Sequence, residues 1–146
     1  MSASTDSVAL RLARRNEHAQ LEDLQRRASL ELPEYRDQLI ANPDAIHLPP
    51  AQIANGQVIV AEWSGKIAGF AAVVSGELDG LFVEPDLWGL GIGKALADAA
   101  THRARQKGLT LRVTANPRAR AFYEKCGFRV EGETQTRFGP ALRMTR

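Results

Sequence analysis

The stretch "VEPDLWGLGIGKAL", residues 83–96, sets the tightest limit on what this chain can fold into. It places Gly89, Gly91 and Gly93 between an apolar segment that reads as a strand and a run of good helix formers. A strand that turns directly into a helix leaves unpaired N–H groups pointing outward, aligned with the positive end of the helix dipole. Glycine lets a bulky phosphate approach that backbone, so the physical reading is anion binding. A tight turn with positive φ explains one glycine and leaves the alternation of three unexplained.

Two common anion loops do not fit. A nucleoside triphosphate loop needs GxxxxGK[ST], whereas Trp88 stands in the first glycine's place and Ala95 follows Lys94. A dinucleotide fingerprint beginning at Gly89 or Gly91 would end on Lys94 or Leu96, and "LRVTAN" closes without the ribose-binding carboxylate.

The rest of the chain reads as strands and helices around this corner. "VALRL" (8–12) begins a strand, and Asn16 is a candidate cap for a helix carrying Ala19, Leu21, Leu24 and Ala28 at helical spacing. "LPEYRDQLIA" (32–41) reads as a second helix with Pro33 in its first turn, and the stretch from there to "HLPPAQIANG" reads as loop. "QVIVAEW" and "KIAGFAAVVS" form a hairpin about Ser64–Gly65, and "ELDGLFV" (77–83) leads into the glycine corner. A helix from Gly91 to Lys107, a strand over 109–114, a helix over 117–126 and two C-terminal strands complete the order β α α β β β α β α β β, a mixed α/β or α+β sheet wrapped by helices.

At 146 residues the expectation is one domain over 1–146 with one core, ordered past the first few residues. Lys and Arg total 19 against 17 Asp and Glu, and a net charge of +2 does not by itself imply nucleic acid or an anionic membrane. The N-terminus shows no leader and no window approaches the ~18 apolar residues that spanning a bilayer needs, so a cytoplasmic protein is expected. Cys126 stands alone and reads as core filler; His18, His47 and His102 lack ligand spacing, so no metal is expected.

The glycine corner resembles the GNAT superfamily of N-acetyltransferases, whose hallmark is [QR]xxGx[GA] after a strand ending VxP; Val83, Pro85, Gly91 and Gly93 are in register with it. A second family signature, NxxAxxFYxxxGF, has its near counterpart in "NPRARAFYEKCGF", matching at Asn116, Ala119, Phe122, Tyr123, Gly127 and Phe128. The departure is Trp88, where the family prefers glutamine or arginine. One indole N–H remains as a donor, and the amides of Gly89, Leu90, Gly91, Ile92, Gly93 and Lys94 would carry most of the pyrophosphate contact, with Lys94 adding charge. The resemblance implies a GNAT-like fold: a twisted, mostly antiparallel sheet of six to seven strands flanked by about four helices.

It also implies acetyl transfer from acetyl-coenzyme A to a primary amine, either a small molecule or an amine of a protein or peptide. Such an amine is mostly protonated at neutral pH, so something must take its proton before it attacks the thioester, and a carboxylate or a carboxylate-bound water would serve. Strand alternation puts Glu77, Asp79, Leu81 and Val83 on one face, with Leu78 and Phe82 on the other, and a bulge at Gly80 would alter that count. By resemblance Glu77 is the first choice for the base and Asp79 the second. Leu81, Phe82 and Val83 would contact the pantetheine arm where the fourth and fifth strands splay. Tyr123 would protonate the leaving thiolate or bond the sulfur, and Asn116 would cap its helix or bond the pantetheine amides. Acceptor recognition would come from residues 30–50, with Tyr35, Arg36, Asp44 and His47 as candidates.

Two other readings compete. A catalytically silent module that binds coenzyme A would fit Trp88. A nucleic-acid binder would rest on "THRARQKG" and "NPRARAF", which offer basic helices with little aromatic interleaving, and no nucleic-acid partner is expected. A homodimer is common for such domains, and the C-terminal strands could pair across it.

Overall fold

The computed structural model describes residues 8–146. The reading of the N-terminal stretch as free of a leader falls on residues outside that range.

Seven strands form one sheet in the order β1-β2-β3-β4-β5-β7-β6. The strands are β1 (Val8–Leu12), β2 (Val58–Trp63), β3 (Lys66–Val74), β4 (Glu77–Val83), β5 (Arg112–Ala115), β6 (Arg129–Thr136) and β7 (Gly139–Thr145). Two hairpins set the register of the first half. Ser64–Gly65 and Ser75–Gly76 all take positive φ, the backbone that two-residue hairpin turns require. Every neighbouring pair is antiparallel except β4 and β5, which run parallel because a whole helix, α4 (Ile92–Gln106), crosses between them.

Each face of the sheet is covered. On one, α4 and α5 (Arg120–Lys125) bury Ile92, Leu96, Ala100 and Tyr123 against Leu78, Val83, Leu111 and Val113. On the other, α1 (His18–Leu30) and α3 (Pro50–Ala54) bury Leu21, Leu24 and Ile53 against Val58, Val60 and Phe70. Helix α2 (Pro33–Ala41) has no buried residue.

The structure adds a helix, α3, to the element order expected from the sequence, and the differences have local causes. Residues 42–56 are not loop throughout: a 3-10 turn spans Pro43–Ala45 and α3 follows. Pro50 presets the helical φ at the first position of α3, and burial of Ile53 stabilises a helix too short to stand alone. Asn16 does not cap α1, because it lies inside a 3-10 turn, Arg15–Glu17. The Glu17 carboxylate serves that corner instead, accepting the Arg14 N–H at 2.7 Å and the Arg11 guanidinium at 2.7 and 2.9 Å. Strand β5 starts three residues later than expected: Leu109 N–H is taken by Ala104 at the end of α4, and pairing begins only where Arg112 N–H reaches Gly76.

Candidate active site

The site begins at the one place where the sheet opens. Strands β4 and β5 pair only at Glu77 and Arg112, and beyond that point they diverge. Glu84 N–H reaches Ala68 on β3, so by alternation Leu81 and Val83 turn their N–H groups towards β5, where no ladder meets them. A cavity of about 810 Å³ fills the opening. Clefts at the carboxyl ends of parallel strands are where open sheets bind ligands.

A bulge in β4 decides which acid reaches the cavity. Ala72 pairs with Gly80 and Val73 with Leu78, leaving Asp79 as the extra residue. The bulge resets the alternation: Leu78 packs with Leu81 and Val83, whereas Phe82 packs against Phe70, 5.4 Å away between ring centres. The simple face count, with Leu78 beside Phe82, is therefore corrected. Asp79 lines the cavity and accepts Gln52 Nε2 at 2.9 Å. Glu77 is not among the lining residues, and its carboxylate lies 3.5 Å from the Arg112 guanidinium.

The head of α4 forms a second wall. Gly89 and Gly91 both have φ +86°, which turns the chain from β4 into the helix, and a Cβ on either would meet nothing within 4 Å. Gly93 has a different reason: its Cβ would lie 3.0 Å from the Phe122 ring, so any side chain there would crowd the ring that α5 packs against α4. From Gly89 to Lys94, six consecutive N–H groups have no acceptor among the described residues. Gly89, Gly91, Gly93 and Lys94 line the cavity, whereas Leu90 and Ile92 do not, Leu90 being exposed and Ile92 buried in the core. Lys94 Nζ bonds Asp98 at 2.9 Å, one turn along. The Trp88 indole N–H donates to the Val83 carbonyl at 2.8 Å. It thus ties the turn to the end of β4 and is not free for an anion, although the ring lines the cavity.

The third wall is the start of α5. Asn116 accepts Ala119 N–H at 3.1 Å, capping a 3-10 turn, and lines the cavity. Tyr123 also lines it, held edge-on between Phe122 and Phe128 at 5.0 and 5.2 Å. No partner meets its hydroxyl among the described residues. Burial, with Cys126 nearby, pushes that hydroxyl far above its ordinary value, so it keeps its proton at any physiological pH. Cys126 is buried, and burial raises its thiol as well, which keeps it from acting as a thiolate.

A roof closes the cleft from the α1–α2 side. Leu32, Tyr35 and Leu39 recur at helical spacing and line it, as do Phe138 and Pro140 of the β6–β7 turn. Two ion pairs strap this roof down: Arg118 to Glu34 at 2.5 Å, and Arg137 to Asp44 at 3.0 Å. Of the acceptor candidates only Tyr35 reaches the cavity. Arg36 bonds the Leu30 carbonyl, Asp44 is paired, and His47 lies 3.3 Å from Glu22. The sequence did not point to Leu32, Leu39, Arg118, Phe138 or Pro140; only the three-residue spacing from Leu32 to Tyr35 hinted at a shared face.

Comparison with known proteins agrees with this architecture. A family profile described as "Acetyltransferase (GNAT) family" matches residues 18–128. The chain is 41% identical over 68 residues to the peptidyl-lysine N-acetyltransferase YjaB of Salmonella typhimurium, 46% of either chain. It is 38% identical over 94 residues to the 5-NmdU N-acetyltransferase of Pseudomonas phage PaMx11, covering 60% of this chain and 67% of that one. The chain thus spans about half the length of the YjaB relative it matches. A GCN5-related N-acetyltransferase from Rhodopseudomonas palustris superposes with a TM-score of 0.79 at 25% identity, covering 97% of this chain and 96% of that one. A sheet opened between parallel β4 and β5, a glycine turn heading α4 and a profile match over most of its length together mean that this chain belongs to the GNAT family of acetyltransferases.

Proposed function

We propose that this protein transfers an acetyl group from acetyl-coenzyme A to a primary amine. The observation that carries this reading is the row of free N–H groups from Gly89 to Lys94, opening on the same cleft as Asp79 and Tyr123. Free amides at the head of a fifteen-residue helix suit a pyrophosphate, because they offer both hydrogen bonds and the positive end of the dipole. The donor set therefore fits the cofactor, with Lys94 adding charge and the unpaired N–H groups of Leu81 and Val83, together with Asn116, available to the pantetheine arm. Phe82 lines the same stretch.

Acetyl-coenzyme A supplies an activated acyl carbon for the amine lone pair to attack. The chain's own groups manage the protons and charge. Asp79 takes the ammonium proton, directly or through water, since it is the acid that lines the cleft; Glu77, engaged with Arg112, is the alternative. The N–H of Leu81 or Val83 meets the charge that develops on the carbonyl oxygen. As the C–N bond forms and the C–S bond breaks, Tyr123, held protonated by burial, donates to the departing sulfur. The relatives' names are compatible with amines of different size, a peptidyl lysine in one and "5-NmdU" in the other.

The test is thiol release from acetyl-coenzyme A across an amine panel. Asp79→Asn is expected to lower kcat/KM by about 10²–10⁴, whereas Glu77→Gln changes it only a few-fold. The opposite ranking moves the base to Glu77. Coenzyme A binding with no turnover on any amine would leave the silent-module reading.

A further inference from the structure

We infer that the acceptor is a small monoamine with a flat apolar body, its single ammonium at Asp79 and its body against the wall made by Tyr35 and Phe138. This rests on the acetyl-transfer reading above and names the substrate class of that site.

Charge is the first argument. Among the described residues lining the cavity, Asp79 is the only carboxylate, and the other charged groups are the cations Lys94, Arg118 and Lys125. Three acids outside the lining are each paired with an arginine: Glu34 with Arg118, Asp44 with Arg137 and Glu84 with Arg27. One carboxylate suits one ammonium. A polyamine or a lysine in a basic peptide brings further positive charge with nothing to meet it, and like charge costs affinity.

The second argument is the roof. Leu32, Tyr35 and Leu39 present one apolar face of α2, and Phe138 and Pro140 complete it from the β6–β7 turn. The Arg137 guanidinium lies over the Phe138 ring at 5.3 Å while bonding Asp44 and Asn42. An apolar wall discriminates by shape and apolar area.

The experiment compares kcat/KM for 2-phenylethylamine, propylamine, spermidine and a lysine-containing basic peptide, using the full chain with acetyl-coenzyme A. The expected result is that 2-phenylethylamine exceeds propylamine by roughly tenfold or more, the scale of burying one ring, with spermidine and the peptide below both. Phe138→Ser is expected to bring the two monoamines to within about threefold of each other. Retained coenzyme A binding by calorimetry and an unaltered circular dichroism spectrum verify that the variant is folded. Equal rates for the two monoamines, or a higher kcat/KM for spermidine or the peptide, would overturn this inference while leaving acetyl transfer intact. Absence of thiol release from every amine overturns acetyl transfer itself.

Discussion

Tyr123 joins two properties that rarely coincide in a core aromatic: it is almost wholly buried between two rings, and its hydroxyl has no protein partner among the described residues. Removing that hydroxyl therefore costs little stability and should cost much chemistry. Tyr123→Phe is expected to lower kcat by about 10²-fold while the thermal midpoint stays within about 2 °C of the parent. A large fall in the midpoint would instead make Tyr123 a packing residue. Glu17 is the converse case, structural and remote from the cleft. Its hydrogen bonds with Arg11 hold its carboxyl below the usual carboxylate range, against burial that pushes it up. A depressed folded pKa contributes stability that is present above the unfolded value of about 4.3 and is lost as pH falls through the folded one. Glu17→Gln should then cost about 1–3 kcal/mol at pH 7, with the gap from the parent narrowing below pH 4 in urea titrations. At this scale Tyr123 and Asn116 were legible because one short stretch of sequence carries both, Asn116 capping a 3-10 turn and Tyr123 on the helix that follows it. The choice between Glu77 and Asp79 was not, because it depends on a bulge fixed by β3, a strand that is not part of the motif.

Helix α4 shows how one element serves fold and site together. Its buried face, Ile92, Leu96, Ala100 and Ala104, clamps it to the sheet, and that anchoring holds its first turn at the mouth of the cleft. The three glycines that looked equivalent divide the labour. Gly91 turns the chain at positive φ with open space beside it, and Gly93 admits the Phe122 ring. Gly91→Val should cost about 1–2 kcal/mol from the left-handed backbone alone, and weaken coenzyme A binding by roughly tenfold or more as the amides are displaced. Calorimetry and denaturant unfolding on the same sample separate the two effects. The alternation of glycines pointed to a special turn; the reason for Gly93 lies in α5, and no reading of the turn itself could supply it.

Across the whole molecule, burial is distributed unevenly between the head of the cleft and its roof. Helix α4 has six buried residues, whereas the roof helix α2 has none; an exposed ion pair joins its Glu34 to Arg118, and a second joins Asp44, past the end of the helix, to Arg137. Exposed pairs are worth little in water and are screened by salt. Amide hydrogen exchange should therefore run orders of magnitude faster in 33–41 than in 95–104, and faster still at high salt; equal protection would mean that the roof is a rigid wall. Among the described residues no helix is long and apolar enough to cross a membrane.

The sequence by itself determined the element types, the glycine turn, the Asn116 cap and the helix that carries Tyr123, because each is written in local periodicity, capping or backbone conformation. Tertiary structure alone decided the cleft. The parting of β4 from β5, the bulge that presents Asp79, the tie from Trp88 to Val83 and the strapped apolar roof all depend on residues far apart in the chain. Local patterns report what a segment prefers, whereas a cavity is the space left over once every segment has packed.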